Sequence, residues 1–127
     1  MSALVPFEYA VLRVMPRVDR GECINVGLVL YCQRRDYLDA AIHIDDDRLR
    51  AIDPDIDVEG IHTALEAIAT LCRADVAVTS RHGGGRGSVF GWITAPRSTV
   101  VQAGPVHPGI TADPAADLQR LLDRLVR

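Results

Sequence analysis

The chain has 127 residues, 48% of them hydrophobic and 24% charged, with a formal charge of −3. This length and apolar content suit a single domain around one core. The charge balance excludes the global basic field of a non-specific DNA binder. All 14 basic residues are arginine. A GC-rich genome accounts for that, as would a preference for forked donors that grip carboxylates or phosphates.

Cys23, Cys32 and Cys72 stand far apart with no C-x-x-C pair. That excludes a disulfide framework and a zinc spacing. No basic segment followed by an apolar stretch opens the chain, so no signal peptide is expected. The longest apolar runs fall well short of a membrane span. A reduced, cytoplasmic setting is the expectation, with no membrane association.

In chain order, Phe7 to Val18 alternates as a strand, with Tyr9, Val11, Arg13 and Met15 on one face. Arg17 to Gly21 supplies a turn. The next stretch, from Arg20 to Tyr31, is the one the chain is organised around: a long strand interrupted by Glu22, Asn25 and Gly27, all poor strand residues. Strict alternation would put Glu22, Ile24, Val26, Leu28 and Leu30 on one face, the expected core side. Gln33 to Asp36 reads as a hairpin connection. Tyr37 to Ile44 reads as a third strand, completing an antiparallel meander over residues 7–44.

Helices are predicted over 46–52 and 58–74. Asp57 caps the second, and Val58, Ile61, Leu65, Ile68 and Cys72 repeat along it at three and four residues. Residues 81–88 (Arg81 to Ser88) read as a flexible glycine-rich loop. Two further strands are predicted over 89–94 and 98–103, and residues 104–109, with two prolines, as irregular. Asp113-Pro114 is a helix start of cap followed by proline, opening a C-terminal helix over 114–126.

No phosphate-loop or dinucleotide fingerprint is present. The glycine loop with its flanking arginines is more readily a connector than a phosphate cradle, and nucleic acid is not an expected partner. His43, Asp45 and Asp47 are better read as an acidic helix start than as a metal site. Cys23 is the one cysteine worth testing as a nucleophile. No metal and no cofactor are expected.

The strongest constellation is polar. It comprises Arg13, Glu22 and Asn25 on the first hairpin, Arg17 and Arg20 at its turn, Arg97, Ser98 and Thr99 before a later strand, and Gln102 and His107 after. Arg13 or Arg97 with Glu22 would make a structural ion pair. Alternatively, the group forms a patch for an anionic ligand or a partner's backbone.

These residues also carry a resemblance. The run Phe7-Glu8-Tyr9-Ala10-Val11-Leu12-Arg13-Val14-Met15-Pro16 is followed by Gly21-Glu22-Cys23-Ile24-Asn25-Val26-Gly27. Later come Trp92 to Thr99 and Val106-His107-Pro108-Gly109 ahead of the Asp113-Pro114 helix. In this order they resemble the bacterial family of domain of unknown function 3037, over essentially the whole chain. The resemblance supplies no activity and no catalytic residues. Members are often encoded beside HipA-like serine/threonine kinases, which implies a small companion protein.

The expected fold is α+β: one mostly antiparallel sheet of about five strands, with helices packed largely on one face. The expected function is that of a non-enzymatic accessory protein binding a larger partner, a HipA-like kinase by family association. The alternative is a small enzyme or sensor for a phosphorylated small molecule or nucleic-acid end at the polar patch, with Glu22 as acid/base. Exposed strand edges would also allow a homodimer by sheet extension.

Overall fold

The long first strand, β1 (Val5–Val14), is buried on both sides because alternate residues serve two different cores. Ala10, Leu12 and Val14 point to one, Val5 and Phe7 to the other. The computed structural model describes residues 3–17, 19–74, 85–97 and 99–127. Among these, β2 (Ile24–Cys32), β3 (Tyr37–Ile42), β4 (Val101–Ala103) and β5 (His107–Thr111) complete one five-stranded sheet. All pairings are antiparallel: β3–β2–β1, with β4 and β5 following one another along the remaining edge of β1. The fold is α+β.

Three helices cover the first face: α1 (Asp46–Ile52), α2 (Val58–Arg73) and α3 (Arg86–Thr94). They contribute Leu49, Ile61, Leu65, Ala69, Cys72, Val89, Phe90 and Ile93 to the larger core. The second face is covered by α4 (Pro114–Leu125), through Leu118, Leu121 and Leu122. A fully buried Leu or Val stabilises the fold by about 1.5–3 kcal/mol, so both layers matter. Three of these helices, α1, α2 and α4, have an acidic cap: Asp45 accepts from the Arg48 N–H, Asp57 from Gly60 and Asp113 from Ala116.

Strict alternation in β2 is broken by a bulge. Leu12 pairs with Gly27, whereas Arg13 pairs with Asn25, so Val26 is the extra residue. The bulge changes the side-chain parity. Ile24, Val26 and Val29 face the α1–α3 side, and Leu28 and Leu30 face α4. The expectation of one core face through Ile24, Val26, Leu28 and Leu30 is therefore corrected. Gly27 is needed here, because a Cβ would sit 2.8 Å from the Ala41 carbonyl oxygen and 2.9 Å from Ile42 Cδ1.

Four further expectations change. The strand expected over 89–94 is the helix α3. Its β-branched and aromatic residues favour a strand in isolation, but Val89, Phe90 and Ile93 fall at helical spacing and fill the first core. Residues 86–88 of the expected loop form the first turn of α3; Arg81 to Gly84 lie outside the described residues. Of the strand expected over 98–103, residues 101–103 form β4 and residues 99 and 100 do not join it, while residue 98 lies outside the described residues. The irregular 104–109 region contains most of β5. Its Pro108 is tolerated because β5 is an edge strand, and its Gly109 is needed because a Cβ would meet the Phe7 ring at 2.5 Å. The 33–36 connection between β2 and β3 is a short 3-10 turn closed by Asp36 at φ 50°.

Among the described residues, Thr111 is the one buried polar side chain. Its hydroxyl accepts from the Asp113 N–H at 2.9 Å. A hydrogen bond from Thr111, with Arg120 beside it, holds the Asp117 carboxyl below its ordinary range despite some burial. No helix among the described residues is long and apolar enough to cross a membrane.

Candidate functional site

The fold separates the polar residues singled out in the sequence. Arg13 lies in β1 between Asn25 of β2 and Gln102 of β4, so the three form a cross-strand row. By the alternation of β1, this row is on the α4 side of the sheet. Asn25 donates to the Leu125 carbonyl at 3.0 Å, at the end of α4. Gln102 donates to the Thr99 carbonyl at 2.6 Å. Arg13 Nε is buried without a protein acceptor. Its guanidinium lies beside Gly104.

Glu22 does not reach Arg13 or Arg97. It pairs with Arg20 at 2.6 Å on an exposed turn, where such a pair contributes little to stability. The Arg17 carbonyl accepts from the Arg20 and Gly21 N–H groups and closes that turn. His107, at the start of β5, packs at a tilt against Tyr9 with ring centroids 5.4 Å apart. Cys23 is exposed, and Cys32 and Cys72 are buried. Ser98 lies outside the described residues.

Arg97 and Thr99 belong to the opposite side of the sheet. The Arg97 guanidinium lies over the Trp92 ring, 4.2 Å from its centroid, and donates to the Trp92 carbonyl. This cation–π contact is worth about 0.5–1 kcal/mol at an exposed site. Thr99 donates to the Val101 carbonyl at 2.7 Å. Both residues line a groove of about 790 Å³ between α2, the end of α3, the α1–α2 connection and the segment leading into β4.

The groove owes its apolar wall to the width of the α2 stripe. Ile61, Leu65, Ala69 and Cys72 turn into the core. The next positions round the helix, Ala64, Ala67, Ile68 and Leu71, line the groove. Ile56 and Val100 extend the surface, and Trp92 closes one side while remaining 50% exposed. Among the described residues, the rim carries Asp53, Asp55 and Asp57 against the single guanidinium of Arg97. Sequence reasoning missed this groove. Its signal was present in α2, whose apolar residues span more of the helix than one core contact requires.

Four described groups have displaced proton affinities. Burial, reinforced by Asp39, pushes the Cys72 thiol up to about 12 and the Tyr37 phenol up to about 12, with Arg73 opposing both. Burial also raises Tyr31, and Asp117 is lowered as described. None of the four lines the groove. Among the described residues, no group of three or more His, Cys, Asp or Glu side chains could hold a metal ion.

A model of the DUF3037 family, whose members are described as proteins of unknown function, matches residues 9–126. The chain belongs to the DUF3037 family. Neither a curated protein nor a solved structure matches it. The DUF3037 match takes in the β-bulge and the groove, and covers nearly the whole chain.

Proposed function

We propose that this DUF3037 protein is a non-enzymatic accessory protein that binds a larger protein through the groove beside α2. The observation that carries this reading is an apolar concavity bordered by exposed Trp92 and Val100. Large apolar side chains gathered at an open groove characterise sites that bury another surface. Trp92 is the kind of anchor that dominates such interfaces. Resemblance to family members encoded beside HipA-like serine/threonine kinases supports such a kinase as the partner, with both proteins in the cytoplasm.

A ligand or enzymatic reading at the polar residues has less support. Glu22 sits on the turn, Asn25 and Gln102 are engaged by backbone carbonyls, and Arg97 lies across the sheet from Arg13. They do not converge on one reacting centre.

The test is co-expression of the tagged protein with the neighbouring kinase-like protein, followed by gel filtration at micromolar concentration. Ala64→Arg places a long charged side chain in the groove and leaves Ile61 and Leu65 in the core. The reading predicts a complex with the parent protein and none with a folded Ala64→Arg variant. A complex indifferent to that change rules the groove out as the interface.

A further inference from the structure

We infer that the occupant of the groove is an amphipathic α-helix of the partner whose apolar stripe is flanked by basic residues. This inference rests on the reading of the groove as a protein-binding site and adds the chemistry of what enters it. Two features of the groove argue for it.

The first is the shape of the α2 wall. Ala64 and Ala67 are small and sit one turn apart, with the larger Ile68 and Leu71 following. Small side chains beside large ones let the ridge of a second helix approach the first closely. A helix with apolar residues at three- and four-residue spacing is the complementary element.

The second is charge. Asp53, Asp55 and Asp57 line the same groove, and none makes an ion pair among the described residues. One oxygen each of Asp53 and Asp57 accepts a backbone N–H, from Asp55 and Gly60. That leaves both carboxylates with acceptor capacity to spare. Among the described residues, the one cation on the rim, Arg97, is already held over Trp92. An incoming helix with acidic flanks would meet repulsion here, and one with arginine or lysine flanks would meet unpaired carboxylates.

Trp92 is the chain's single tryptophan, so its emission reports directly on the groove. The probe is a synthetic, tryptophan-free amphipathic peptide of about 15 residues, long enough for partial helicity in water, with an arginine-flanked apolar stripe. A second peptide has the same stripe and glutamate flanks. Titration of the arginine peptide should give a saturable blue shift, with the glutamate peptide binding about tenfold more weakly or worse. The difference should shrink in high salt and in an Asp53→Asn, Asp55→Asn double variant.

Equal affinity for the two peptides overturns the inference, as does arginine-peptide binding that survives Ala64→Arg. If neither peptide binds while Ala64→Arg still abolishes the complex with the partner protein, the inference falls and the groove reading stands. If the complex ignores Ala64→Arg, the groove reading itself falls. An emission shift that tracks the protein's own concentration, with a dimer in gel filtration, would make a second copy the occupant and overturn the inference.

Discussion

Asn25 donates its side-chain amide to the carbonyl of Leu125, 3.0 Å away and 100 residues later in the chain. That carbonyl belongs to the last turn of α4, where backbone acceptors have no partner within the helix. The bond therefore ties the bulged strand β2 to the end of the helix on that face of the sheet. Asn25→Ala should cost about 0.5–1.5 kcal/mol, seen as a lower urea midpoint with an unchanged slope. Affinity for the partner should be unaltered, because Asn25 lies on the side of the sheet away from the groove.

Gly27→Ala tests the bulge. The added methyl would meet the Ala41 carbonyl oxygen at 2.8 Å and Ile42 Cδ1 at 2.9 Å. The side chain of Ile42 can shift, but a backbone oxygen in the β2–β3 ladder moves only with the strand. We expect a destabilisation of about 1–3 kcal/mol, the usual cost of overpacking. A thermal melt indistinguishable from the parent protein would show that β3 can move aside.

The protein should lose stability in alkali. In the folded state Cys72 and Tyr37 hold their protons up to about 12, against ordinary values of 9.0 and 10.0. Above those ordinary values the unfolded chain releases protons that the folded chain retains. Their contribution is complete below about pH 9 and is lost as pH rises towards about 12. Urea midpoints measured from about pH 8 to about pH 11 should fall steadily; a constant or rising midpoint would contradict this. Thiol labelling of the native protein should find Cys23 readily and reach Cys72 and Cys32 only on unfolding.

Much of this architecture was legible in the residues. The meander follows from alternation, and α2 and α4 from apolar spacing and the caps Asp57 and Asp113. Residues 89–94 misled because a run of six residues, five of them aromatic or β-branched, is too short to separate a period of two from one of 3.6. The packing of Val89, Phe90 and Ile93 against the sheet decides it. Pro108 and Gly109 concealed β5, since both disfavour a strand unless it is an edge lying against a bulky ring.

The candidate site was less legible. Arg13, Asn25 and Gln102 do come together, because antiparallel pairing places them in one row. Residue type alone suggests Arg97 as a fourth member. Its partner is Trp92, five residues away across the end of α3, and that contact faces the groove. No pattern of spacing announces a groove between two helices and a strand connection, beyond the surplus of apolar residues on α2.

The most direct measurement is Trp92 emission during titration with the purified kinase-like protein proposed as the partner. If the partner fills the groove, the half-exposed indole becomes enclosed. Emission should shift to the blue and saturate at one equivalent of partner, and Ala64→Arg should abolish the shift. A complex that forms at the same concentrations with Trp92 emission unchanged would place the interface elsewhere and contradict the account.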